Sequence, residues 1–341
     1  MKKLALFAVA VVGLASCERA VFQDRAASTD PFINFDYLWD EVDQKFSYFE
    51  LKNIDWDSVR TVERAKLYEG MSEDSLFKVL GGMLEQLRDD HTNLISDFQI
   101  STFGVQFLGQ DQFDWRIIQD HYLTDPYLTG PFVHDLLRND SIGYVRFSSF
   151  TGTMSANDLN FIFDRFQNTE AMILDLRENG GGAVSDVFNL LSCFVDERTL
   201  TNYSRIRNGA GRNDFSDAEP VYVEPRDSLR YLRPVAVLTD RGTYSAGSFT
   251  SIATKALDNV ILVGDTTGGG LGLPNGGQLP NGWTYRFSIT QALTLDLDPS
   301  YENGVPPDVV ANFDWTDLET DEILERAIEE FQAVADMRWA D

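Results

Sequence analysis

Apolar residues recur at helical spacing in three stretches near the start of the chain: Phe35, Leu38, Val42, Phe46 and Phe49; Val59, Val62, Ala65 and Leu67; and Leu76, Leu80, Met83, Leu84 and Leu87. Positions three and four apart share one helix face, so the pattern predicts a helical bundle over residues 31–90. Its third helix is capped at Ser72, and its aromatic stripe reads as core. Residues 102–108 and 113–123 instead alternate between apolar and polar, which predicts two strands around Gly109 to Gln112. From Ser141 onward, apolar runs at 142–147, 171–177, 235–239, 260–264 and 283–289 read as strands. Helical segments at 156–167, 184–195, 245–257 and 317–335 fall between or after them. This alternation predicts an α/β fold with a mostly buried sheet whose strand ends carry function. Residues 197–232, rich in Arg, Asn, Asp, Tyr and Pro, read as a long surface excursion.

The first twenty residues follow a different logic. Lys2 and Lys3 precede an apolar run from Leu4 to Leu14 that is too short to cross a bilayer, and small residues lead to Cys17, the layout of a signal peptide. Leu14-Ala-Ser-Cys17 resembles a bacterial lipobox, the alternative being an ordinary secretory peptide with a chance cysteine. That resemblance implies a cleaved segment 1–16, an acylated Cys17, a tether over 17–30, and a protein of the bacterial cell envelope that meets membrane only through its lipid. With 54 acidic against 28 basic residues, the chain would be repelled by nucleic acid and anionic membrane surfaces. Cys193 is then the only remaining thiol, so stability must come from a core rather than from a disulfide.

Two glycine-rich turns carry the candidate chemistry, each directly after a predicted strand and before a predicted helix. In Thr239 to Ser248, the hydroxyl of Ser245 projects from the turn, beside helix N–H groups that can receive an oxyanion. The alternative is a serine that only caps the helix. In Asp175 to Gly182, three successive glycines bring backbone N–H groups close to a ligand, or else make only a tight turn. Neither this turn nor Gly268 to Gly270 fits a phosphate loop, and there is no H-E-x-x-H, so no cofactor or metal is expected. Only three histidines can serve as a base. His91 lies just past a predicted helix, where it is either a base or an imidazole neutralising the helix dipole; His121 sits in a predicted strand and His134 in a polar loop.

Taken in order, Asp90-His91-Thr92, the strand 142–147, the turn 175–182, Tyr244 to Ser248, the stretch 263–269 and Tyr301 to Asp308 resemble the serine-peptidase superfamily of carboxy-terminal processing proteases, the tricorn core protease and interphotoreceptor retinoid-binding protein. The resemblance covers about residues 31–335. It implies a ClpP/crotonase-like catalytic core of ββα repeats behind an N-terminal helical bundle, a peptidase unit over 91–341, and a polypeptide substrate.

The processing proteases use a lysine base where this chain has Gly270, so the resemblance favours the tricorn-like design: Ser245 as nucleophile, His91 as base, Glu302 orienting the ring, and the N–H groups of Gly181 and Ala246 as the oxyanion hole. Asp240 and Asp265 are substitute orienters. Ser248 stands where the family usually has glutamate, and Asp90 where it usually has glycine. The 47 residues between Thr92 and Asp140 are too few for the family's PDZ domain together with core strands. A binding protein without catalysis, taking an apolar ligand or peptide on the same fold, is the alternative.

Overall fold

A computed structural model describes residues 27–338; Cys17 and its lipobox-like context lie outside them. Three helices open the fold: α1 (Pro31–Lys45), α2 (Trp56–Arg64) and α3 (Glu73–Glu85). Asp30, Asp55 and Ser72 cap them by accepting N–H groups of the first turn. Their apolar faces bury Phe35, Leu38, Val42, Trp56, Leu80 and Met83 in one cluster. The same cluster takes in Leu94, Trp283, Tyr285 and Phe287 from far along the chain, so the bundle is completed by a small antiparallel sheet of β1 (Asn93–Ile95), β11 (Thr284–Ser288) and β10 (Pro274–Gln278).

The central sheet has seven strands. β2 (Tyr127–Thr129), β3 (Phe132–Leu137) and β4 (Ile142–Phe147) form an antiparallel meander. β5 (Ala171–Asp175), β8 (Val235–Thr239), β9 (Val260–Gly264) and β13 (Val309–Val310) continue from β4 in parallel, giving the order β13-β9-β8-β5-β4-β3-β2. Both faces are covered, and the period of two along each strand divides its side chains between two cores. Met172, Leu174, Val235 and Val237 face the cluster shared with α4 (Ala156–Arg165), α5 (Val184–Leu191) and α6 (Ala246–Thr254). Ile173, Ala236, Leu238 and Val263 face Ile323, Leu324 and Ala327 of α7 (Glu322–Arg338).

Several expectations are corrected. Residues 102–108 and 113–123 are not strands. The first holds a 3-10 turn (Val105–Leu108), and the second a helical turn (Trp115–Ile117) running into a π-helical one (Ile118–Tyr122), opened by the Asp114 side chain accepting the Arg116 N–H. The local cap and the i, i+4 pair Ile118 and Tyr122 outweigh the apparent alternation. His121 is therefore exposed on this turn. His134 is in β3 rather than a loop, fully buried and hydrogen-bonded to Thr129 and Arg165.

Residues 197–232 are also not a bare excursion. They supply β6 (Thr199–Ile206) and β7 (Glu219–Val223), which pair with each other while β6 also pairs with β12 (Thr290–Leu293) in a third sheet. Polar residues obscured their alternation, and the strand that completes the sheet, β12, comes only after β8 to β11 have been laid down in other sheets.

Candidate active site

The C-terminal ends of β5 and β8 lie side by side, so their two glycine-rich turns meet. Asp240 staples them: its carboxylate accepts the Glu178 N–H at 2.9 Å from one turn and the Thr243 N–H at 2.9 Å from the other. The Tyr244 N–H reaches the Asn179 carbonyl at 2.9 Å, and the Ser245 N–H reaches Gly269 at 3.0 Å. Held this way, Ser245 has φ 53° and ψ −118°, a left-handed conformation that a non-glycine residue adopts only when its surroundings impose it. Its side chain caps nothing; α6 begins at Ala246 without a side-chain cap, and Thr243 bonds the Leu176 carbonyl instead.

The hydroxyl of Ser245 points at the imidazole of His91, with Oγ and Nε2 2.9 Å apart. His91 follows α3 and is 7% exposed. Burial holds its pKa below the ordinary imidazole value, against the raising effect of the Asp89 carboxylate, so the ring is neutral at neutral pH. Its Nδ1 forms no complete hydrogen bond; the Gly272 carbonyl is the acceptor nearest in effect.

Glu302 does not hydrogen-bond the imidazole. It sits 2% exposed in a 3-10 turn (Ser300–Asn303), where Oε2 accepts the N–H groups of Leu271 at 2.7 Å and Gly272 at 3.1 Å. Lys52 Nζ is 3.4 Å from Oε1. Burial pushes the carboxyl up to about 7, opposed by Lys52. In this conformation Glu302 therefore reaches the ring through the backbone of residues 271–272. The carboxylate that acts on His91 most strongly is Asp89. It accepts the His91 N–H at 2.9 Å, the Tyr244 hydroxyl at 2.8 Å and the Ser288 hydroxyl at 2.7 Å. Burial alone would raise its pKa, yet His91, Lys52 and these donors hold it below the usual carboxylate value.

The substitute orienters lie elsewhere. Asp240 is spent on its staple, and Asp265 accepts the Thr266 N–H beside it. Asp90 turns away from the ring to accept the N–H groups of Gly104 and Val105. Ser248, in the family's glutamate position, bonds Thr243 O and Thr267 Oγ1.

Of the two N–H groups implied for an oxyanion, that of Ala246 meets no acceptor among the described residues. That of Gly181 is taken by the Asn179 side chain at 2.9 Å. Gly181 must nonetheless lack a side chain: at φ 94°, an added Cβ would sit 2.7 Å from Ser245 Cβ and 2.8 Å from Ala246 N. Gly270 is constrained as well, since a Cβ there would lie 2.2 Å from the Tyr244 ring, so a lysine base at this position is incompatible with Tyr244.

Reading the residues one by one missed Asp89 and Lys52. Asp89 directly precedes the Asp90-His91-Thr92 stretch, but its pairing with Tyr244 spans 155 positions. Lys52 meets Glu302 only across the fold, and no local pattern marks it.

Residues 141–311 match peptidase family S41, and residues 33–85 match the tricorn protease C1 domain. A carboxy-terminal processing protease of Bacillus subtilis, CtpA, is 26% identical over 181 residues, covering 52% of this chain and 37% of its own length. A crystal structure from Parabacteroides merdae ATCC 43184, described as that of a peptidase, superposes with a TM-score of 0.85 at 36% identity, covering 89% of this chain and 97% of the other. The tricorn protease shares the fold, with a TM-score of 0.56 at 15% identity over 90% of this chain and 37% of its own. By the half of its length that carries the paired turns, and by its likeness to a solved chain over nearly their whole extents, this chain belongs to peptidase family S41, a family of serine peptidases.

Proposed function

We propose that this chain is a serine endopeptidase that hydrolyses peptide bonds of exported proteins or peptides through an acyl-enzyme on Ser245. The observation that carries this reading is the 2.9 Å contact between Ser245 Oγ and the neutral His91 ring, made from a strained turn by residues 154 positions apart.

His91 Nε2 takes the hydroxyl proton as Oγ bonds to the scissile carbonyl carbon. The carbonyl oxygen, now negative, is received by the Ala246 N–H and the 180–182 turn. Asn179 must release Gly181 for that N–H to serve; those of Gly180 and Gly182 have no described acceptor. Collapse of the intermediate breaks the C–N bond, and His91 returns its proton to the departing amine. Water then repeats the sequence on the ester. Asp89 favours the imidazolium formed in each half, and Glu302 acts as a positioning residue by holding the 271–272 backbone against the ring.

The helical unit is assigned to residues 31–90 and the peptidase unit to 91–341, without a full PDZ domain between them. Anchoring through a lipid on Cys17 in the cell envelope rests on the Leu14-Ala-Ser-Cys17 sequence. Treatment with a fluorophosphonate tests the central claim. An adduct on the peptide containing Ser245, lost in His91→Ala, is expected; an unmodified Ser245 under conditions that label a control serine hydrolase sinks the assignment.

A further inference from the structure

The groove holding Ser245 and His91 has a volume of about 710 Å³, and its lining is uneven in charge and polarity. One part is apolar: Phe107 is 81% exposed, and Ile100 and Leu273 stand free beside it. Another part is cationic. Among the described residues, Arg286, on β11, is the only lysine or arginine lining the groove. Its backbone is registered against Asn93 of β1, and its Nε donates to the Asn93 side chain at 2.6 Å. That bond leaves both terminal guanidinium nitrogens without a partner among the described residues, and no carboxylate pairs with it in a chain whose acidic residues outnumber its basic ones almost two to one. The one acidic residue lining the groove among the described residues, Asp90, has its two oxygens on the N–H groups of Gly104 and Val105. Arg286 also lies close enough to His91 for its charge to disfavour the imidazolium.

An arginine placed beside the reacting pair, oriented through Nε and left with two unpaired donors, presents the fork that binds a carboxylate. The surrounding molecule makes the placement selective. At a net charge of −26 it repels an acidic peptide at long range, and physiological salt screens that repulsion beyond about 8 Å, so a local cation decides whether the carboxylate is admitted.

We infer that Arg286 is a specificity-determining residue that binds a substrate carboxylate within a few residues of the scissile bond, while an apolar substrate side chain lies against Phe107, Ile100 and Leu273. This inference rests on the peptidase reading for its consequence in catalysis, but not for binding. The carboxylate is either a chain terminus or an Asp or Glu side chain.

The test uses one fluorogenic peptide sequence in three forms: free C-terminus, C-terminal amide, and amide with an internal Asp replacing Asn. Wild type is expected to favour one or both carboxylate forms over the neutral amide by about 5- to 10-fold in kcat/KM, as for one charge-assisted pair in a partly open site. Which form is favoured identifies the source. Arg286→Ala should abolish the preference, and Arg286→Glu should transfer it to a lysine-bearing peptide. The preference should also shrink as salt is raised.

Equilibrium binding of the same peptides to Ser245→Ala separates this inference from the peptidase reading. Discrimination in binding without turnover by wild type would overturn the peptidase reading and keep the carboxylate site. Turnover of all three forms at equal kcat/KM, unchanged in Arg286→Ala with its Tm retained, would overturn the carboxylate site and keep the peptidase.

Discussion

Two clusters of buried charge lie at the ends of the parallel strands, and they are built in opposite ways. In the first, Arg177 is wholly enclosed between two carboxylates. Its Nε and Nη2 donate to Asp175 at 3.0 and 2.7 Å, its Nη1 donates to Asp321 at 2.8 Å, and the Tyr144 hydroxyl donates to Asp175 at 2.9 Å. This ties β5 to the start of α7. Its one unpartnered atom among the described residues is Arg146 Nη1, 3.6 Å from Asp175 at the cluster's edge.

The second cluster, around His91, leaves its groups underused. His91 Nδ1, Tyr48 Oη and Glu302 Oε1 all lack a complete hydrogen bond, although Lys52, which donates to the Arg88 carbonyl at 2.9 Å, stands 3.4 Å from Glu302 Oε1. Buried polar groups are normally satisfied, so a concentration of exceptions marks a place shaped for chemistry rather than stability. The fold bears the consequence. With its carboxyl raised from 4.5 to about 7 by burial, Glu302 holds its proton more tightly folded than unfolded. Its contribution therefore weakens the fold progressively as pH rises from about 4.5 to about 7, by about 3 kcal/mol once above that range.

The two clusters answer to different measurements. Ser245→Ala should lower kcat by about 10⁴- to 10⁶-fold on an unfolded protein substrate while leaving Tm nearly unchanged; residual turnover near wild type would move the nucleophile elsewhere. Asp321→Ala should cost about 3–5 kcal/mol of stability by leaving the buried Arg177 Nη1 without its carboxylate, read by urea unfolding, with kcat per folded molecule close to wild type. A full-strength fold in that variant would mean that the Arg177 cluster is not structural.

Asp89→Asn removes the charge that favours the imidazolium together with charge-assisted bonds to the His91 N–H and the Tyr244 hydroxyl. A loss of about 10- to 100-fold in kcat/KM is expected, with the His91 limb of the pH profile moving to lower pH, because the His91 pKa falls when an anion beside it is neutralised. An unmoved limb would exclude Asp89 as its partner.

The smallest effect is expected from Lys52→Met. Lys52 holds the Glu302 pKa down, so removing it should carry that titration above pH 7. The upper part of the acid limb of kcat/KM would shift upward and leave the His91 limb in place. A profile identical to wild type would show that Glu302 ionisation has no part in turnover.

Local pattern sufficed for the three N-terminal helices, the parallel strands β4, β5, β8 and β9, and the two strand-to-helix turns, because each is specified by periodicity and turn chemistry within a few residues. It failed at 113–123, where a capped helical turn imitates alternation, and at 197–232, whose strands are completed only by β12.

From its own residues the sequence determined that a serine and three glycines would occupy turns able to present a hydroxyl and free N–H groups, since those properties belong to single residues and their neighbours. Only the tertiary structure decided that Ser245 is unsuited to capping and strained at φ 53°, that its hydroxyl meets His91, that Glu302 reaches the ring through backbone, and that Asp89 is the nearer carboxylate in effect. Those facts are distances and orientations between groups up to two hundred positions apart. They are set by how the helical bundle closes on the sheet, and nothing local in the chain encodes them.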